Sequence, residues 1–168
     1  MGQTQEIFTL NVKGARLSRA NLEEADLSRA KASGVDLRQA NLRGAKLHFT
    51  QLDNANLSGA DLTGADLTDA DLSHANLKEA NLRDCRLTRT ILDGANLSGA
   101  NLTNAEGLNL EALQRAFGDH TTVLNEGKPA PVHWSYEALT PLEATITIEW
   151  NEPQAVPEGH APPEETES

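Results

Sequence analysis

The stretch ADLTGADLTDADLSH, residues 60–74, places Asp61, Asp66 and Asp71 five residues apart. A regular line of carboxylates can imitate the charged track of a nucleic acid, or it can decorate a scaffold and support its turns. Which applies depends on how a five-residue period folds. The other reactive side chains form no set. His48, His74, His120, His133 and His160 share no metal-ligand spacing, so no metal site is expected. His120 and His133 could meet near Asp119 in a C-terminal loop, although nothing in the sequence requires it. There is no Ser/His/Asp arrangement, glycine-rich phosphate loop or His–Cys cluster. The expectation is a non-enzymatic protein with no catalytic residues and no cofactor.

The chain has 168 residues and a formal net charge of −11. That length allows one domain with appendages. Binding a phosphate backbone needs clustered Lys and Arg, so direct nucleic-acid binding is not expected of so acidic a chain. The single cysteine, Cys85, rules out an intrachain disulfide framework. The N-terminal MGQTQEIFTL has no basic segment followed by an apolar run, and Glu6 stands where a myristoylation signal wants Ser or Thr. No apolar run approaches the roughly 18 residues of a membrane-spanning helix. A soluble, cytoplasmic protein without a membrane partner is expected.

The elements that position these residues follow from an internal repeat. From Leu10 to Asn104 the chain divides into 19 consecutive pentads without insertion or deletion. The third residue is Leu in 17 of them, the exceptions being Val12 and Ala32. The first is Ala in 14, and the second is usually Asn or Asp. Period five suits neither a helix nor a strand. Two apolar positions two apart, then three polar residues, describe a short extended piece followed by a turn. Repeated bends of one sense wind a chain into a solenoid, whose units bury a core only by stacking.

The A(D/N)Lxx pattern resembles the pentapeptide-repeat family over about 95 of the 168 residues. The resemblance implies an all-β solenoid, a right-handed quadrilateral β-helix of nearly five coils with four pentads per coil. Third-position leucines, among them Leu57, Leu62, Leu67, Leu72 and Leu77, would point inward with the first-position residues. Cys85 stands at a first position and reads as a small buried core residue rather than a reactive thiol. Residues 20 apart become vertical neighbours, so Asp61, Asp66 and Asp71 lie on three faces of one coil as part of a ring. Residues 10–106 hold 12 Lys plus Arg against 13 Asp plus Glu, so the acidity belongs mainly to the C-terminal tail.

Around the repeats (10–106) the sequence divides into an N-terminal cap (1–9), a C-terminal capping helix and loop (107–135), a strand signal (136–150) and a disordered acidic tail (151–168). Ile7, Phe8 and Leu10 could close the N-terminal end. In NLEALQRAFG (109–118), Asn109 is the expected N-cap and Gly118 the stop, with Leu110, Leu113 and Phe117 near one face. The loop-like 118–134 is similar to tail segments of some bacterial pentapeptide-repeat proteins. Ala32 replaces a core Leu and predicts thin packing. Phe49, the only Phe, Tyr or Trp among the pentads, stands at an outward fifth position. With His48, and with Arg29 and Arg89 on the same face, it predicts a contact spot. The expected function is a scaffold or protein-interaction module with an unidentified protein partner, with a homodimer through the C-terminal cap as one arrangement. The alternative implied by resemblance is a DNA-mimic modulator of DNA gyrase that alters quinolone sensitivity.

Overall fold

The computed structural model describes residues 9–127 and 129–134. The chain divides into two units, Met1–Tyr136 and Glu137–Ser168, and every described residue belongs to the first. Ile7 and Phe8 of the expected N-terminal cap, the strand signal at 136–150 and the acidic tail at 151–168 lie outside the described residues.

The pentads stack with a repeat of 20. Parallel bridges join second-position residues one coil apart, from Asn11–Lys31 to Arg86–Glu106. Coils one to five therefore begin at residues 10, 30, 50, 70 and 90. One pentad shows the wiring. Asp61 donates its N–H to the Ala40 carbonyl at 2.9 Å, and Leu62 donates to Asn81 on the other side at 2.8 Å. Gly64 donates to Arg83 at 2.9 Å, and Ala65 closes the corner onto Leu62 at 2.9 Å. No strand longer than one bridged residue is needed, because the neighbours above and below satisfy the backbone at every step.

Every corner has the same left-handed conformation. All 19 fifth-position residues have φ between 56° and 70°, and 12 of them are not glycine. A turn whose third residue has positive φ suits Gly and Asn and penalises bulky side chains. Second-position Asn and Asp reinforce the corner. All 13 of them in the repeats accept a hydrogen bond from the backbone N–H two residues on.

Third-position leucines and first-position alanines form the core. Leu57, Leu62, Leu67, Leu72 and Leu77 are fully enclosed, and burying each is worth about 1.5–3 kcal/mol relative to exposure. The polar exceptions at first positions follow a common rule. Thr50 and Thr90 donate their hydroxyls to the Leu27 and Leu67 carbonyls, each at 2.8 Å, and the Cys85 thiol donates to the Leu62 carbonyl at 2.9 Å. Each reaches a carbonyl 23 residues back, so none of these three buried groups is left without a partner.

The two ends differ. In the first coil Val12, Leu17, Leu22 and Leu27 are only half-buried, and Leu10 is exposed. They open onto a wholly apolar cavity of about 240 Å³ that reaches Ala32, Leu37 and Leu52. The slack expected at Ala32 is present.

At the C-terminal end a helix, Leu110–Arg115, is capped by Asn109, whose side chain accepts from the Ala112 N–H at 2.7 Å. The helix stops at Ala116, not at Gly118, because the chain there returns to the coil register. Phe117 bridges Asn96, accepts from Leu97 at 2.6 Å and donates to Ala95 at 2.8 Å. In this second-position place its side chain turns outward, and it is 61% exposed. Leu110 is 48% exposed. The expected capping trio therefore divides, with only Leu113 buried beside Ala116 and Leu108.

The segment 118–134, expected as a loop, contributes more than a connection. Val123 bridges Asn101, and Thr122 donates to the Leu97 carbonyl at 2.9 Å, as Thr50 and Thr90 do in the regular coils. A short 3₁₀ turn, Val132–Trp134, then buries Trp134 against the end of the stack.

Candidate interaction surface

The aspartates of the central ring are committed to the backbone and to neighbouring coils. The carboxylates of Asp61, Asp66 and Asp71 accept from the N–H groups of Thr63, Thr68 and Ser73 at 3.0, 3.0 and 2.9 Å. Coil three, residues 50–69, carries Asp53, Asp61, Asp66 and Asp69 and no Lys or Arg. Bases from above and below answer it. Arg43 of coil two reaches Asp61 at 3.2 Å, and Arg89 of coil four grips Asp69 with two bonds of 2.5 and 2.6 Å. Burial alone would raise the pKa values of Asp61 and Asp66, but the Thr63 and Thr68 hydrogen bonds and the nearby Arg43 and Arg86 charges outweigh it and leave both lowered. The charges form bands across the coil axis rather than a stripe along it.

The fifth-position column Arg29–Phe49–Asp69–Arg89 runs down one face. The Arg29 guanidinium lies over the Phe49 ring, 5.2 Å from its centroid. The His48 ring meets Phe49 edge-on at 5.9 Å, and its Nδ1 lies 3.0 Å from the Ser28 hydroxyl, which donates to Asp26. Phe49 is half exposed with φ of 57°, a left-handed conformation that costs a bulky residue on the order of 1 kcal/mol. Three of the four expected contact residues therefore come together. Arg89 is separated from Phe49 by Asp69, which holds it.

Pentapeptide repeats, in 8 copies, match residues 11–44, 20–59, 40–78 and 80–106. The chain belongs to the pentapeptide repeat family. Members of this family form right-handed quadrilateral β-helices, in keeping with the 20-residue bridge spacing. Among solved structures, a pentapeptide repeat protein from the thylakoid lumen of Arabidopsis thaliana is 30% identical, with a TM-score of 0.58, over 61% of this chain and 70% of that one. The pentapeptide repeat protein Rfr23 of the cyanobacterium Cyanothece 51142 is 32% identical, with a TM-score of 0.47, over 68% of this chain and 87% of its own. QnrB1, a plasmid-mediated fluoroquinolone resistance protein, is 21% identical with a TM-score of 0.32, over 73% of this chain and 63% of that one. No curated protein matches.

Other reactive side chains of this pentapeptide repeat protein have structural partners. Cys85 is enclosed, and burial pushes its thiol up to about 12. His133 Nε2 lies 3.1 Å from the Ala116 carbonyl, while Asp119 holds the Thr121 N–H at 2.9 Å. Among the described residues, no group of three or more His, Cys, Asp or Glu is placed to hold a metal ion. Nor is any helix among them long and apolar enough to cross a membrane. Sequence reasoning missed Trp134, which covers Gly118, the residue standing where the repeat wants Leu. The available signal was the AFG of 116–118, an imperfect copy of Ala-x-Leu.

Proposed function

We propose that this protein is a non-enzymatic scaffold that docks a protein partner on the face carrying Arg29, His48 and Phe49. The observation behind this reading is Phe49, a half-exposed aromatic held at a left-handed corner under a stacked guanidinium. Nothing in the coil requires Phe there, since seven other repeat corners are Gly. Exposed aromatics beside Arg are the usual anchors of protein interfaces. A regular coil suits the task because its backbone bonds hold each outward side chain in place. The test is partner capture from the native cell by wild-type protein and by Phe49→Ser. Loss of a specific partner with the variant, at unchanged thermal midpoint, supports the reading, and equal recovery overturns it.

A homodimer through the C-terminal cap is a companion proposal. Leu110 and Phe117 are exposed there, and Phe117→Ser should lower the mass seen by light scattering if they pair. The competing function is gyrase modulation by duplex imitation. A duplex presents charge continuously along its axis, whereas the carboxylates here are banded and answered by Arg43 and Arg89. A gyrase supercoiling assay separates the two, and the scaffold reading predicts no inhibition and no protection from quinolones.

A further inference from the structure

The acidity of the chain hides a local reversal. Residues 10–19 and 30–39, on two adjacent faces of coils one and two, carry Lys13, Arg16, Arg19, Lys31 and Arg38 against one acid, Asp36. Their net charge is +4, which leaves −15 for the rest of a chain of net −11. All five cationic residues are exposed. Along the corner of one of these faces runs an open cleft of about 540 Å³, lined by Arg19, Arg38, Ser58, Gly59 and Lys78 and by one acid, Glu79, whose carboxylate lies 3.5 Å from the Lys78 ammonium, so three cations face one anion. The absent side chain of Gly59 leaves the notch. From the level of Ser18 to that of Lys78 is three coil spacings, about 14 Å, or about four residues of extended chain.

The guanidiniums that wall the cleft have donors to spare. Arg38 uses two N–H groups on Asp36, at 2.9 and 2.7 Å, and Arg19 uses one on Gln39 at 3.0 Å. Each guanidinium has five. The Arg38–Asp36 pair already displays the forked carboxylate geometry that Arg favours.

We propose that this cleft is a docking groove for an extended acidic segment of a partner protein, whose carboxylates pair with Arg19, Arg38 and Lys78. The proposal rests on the scaffold reading above and adds the chemistry of a partner at a second face. Charge complementarity selects an acidic peptide over a nucleic acid. A polyanion carrying one charge per roughly 1.7 Å would run beyond a +4 patch onto the rest of residues 10–106, whose total of −1 leaves −5 outside the patch, and be repelled. A peptide of a few acids can end within it.

The test uses the full-length protein and a fluorescein-labelled dodecapeptide alternating Glu and Ser, read by polarisation at about 0.05 M salt. Control arms are the same peptide with Lys for Glu and an equally labelled DNA duplex. Saturable binding of the acidic peptide alone is expected, weakened about tenfold in Arg19→Gln/Arg38→Gln and at about 0.3 M salt. Arg19→Gln/Lys78→Gln, which leaves the Asp36–Arg38 pair intact, should weaken it about as much. Phe49→Ser should leave peptide affinity unchanged, so this groove and the Phe49 face fail separately. No saturable binding, equal binding by both folded double variants, or tighter binding of the duplex would overturn the proposal.

Discussion

Arg29 lies over the ring of Phe49, 5.2 Å from its centroid, with the two residues one coil apart in the same outward column. The contact shields one ring face and leaves Phe49 half exposed. It also offsets part of the strain of a bulky residue at φ of 57°. Replacing Phe49 by Gly should therefore change stability little. Relief of the left-handed strain, about 1 kcal/mol, is set against a lost cation–π contact of about 0.5–1 kcal/mol. Urea unfolding should place the variant within about 1 kcal/mol of wild type. A loss beyond about 2 kcal/mol would make Phe49 a structural residue and remove the reason to read it as an anchor.

Trp134 should be the most costly single truncation at the C-terminal end. Its ring lies where a Cβ on residue 118 would stand only 2.6 Å away, and its indole N–H donates to the Ala116 carbonyl at 3.0 Å. Trp134→Ala is expected to cost about 3–5 kcal/mol. Gly118→Ala must displace the indole and should cost about 1–3 kcal/mol. Both are read by urea unfolding, and a neutral Gly118→Ala would contradict the packing described.

Ala32→Leu should stabilise the chain. The cavity beside Ala32 has a volume of about 240 Å³ and an apolar lining, so three added carbon atoms find room. A gain of about 1–2 kcal/mol is expected in urea unfolding. A loss would mean that the site is already filled and that Leu overpacks it.

Acid should weaken the coil in a defined window. Asp36, bonded by the Arg38 side chain and N–H, is lowered from an ordinary 3.8 to about 2. Asp26 is lowered by the Ser28 hydroxyl, Asp69 by Arg89 and Asp119 by the Thr121 hydroxyl. In each case the unfolded chain binds protons at a higher pH than the folded chain. The stabilisation is thus complete above about pH 4 and is lost as pH falls toward about 2. The thermal midpoint should stay level from about pH 7 to about pH 5 and fall steeply below about pH 4. A midpoint that holds or rises over that lower range would show that these hydrogen bonds add nothing to stability.

The period, the inward leucines and the 20-residue vertical spacing were legible because each is a strict positional pattern. The work of Asp61, Asp66 and Asp71 followed from them, since a coil of four pentads sends the three carboxylates to three faces and sets each beside the N–H of its own corner. The end of the helix was not legible. Helical spacing groups Leu110, Leu113 and Phe117, but pairing of 116–117 with Ala95–Leu97 overrides it and turns Phe117 outward. Trp134 escaped notice for a similar reason. It fills a third-position slot 16 residues after Gly118, across a segment whose prolines suggest only a connection. The 20-residue spacing already sets Asp69 between Phe49 and Arg89, and the structure adds that Asp69 holds the Arg89 guanidinium.

The scaffold claim is tested most directly by measuring the affinity of the partner captured from the native cell, once purified, for wild-type protein and for Phe49→Ser. An anchoring aromatic predicts at least a tenfold loss, about 1.4 kcal/mol, with the thermal midpoint of the variant unchanged. Equal affinity for the two proteins would contradict the account and move the functional surface away from the Arg29–Phe49 face.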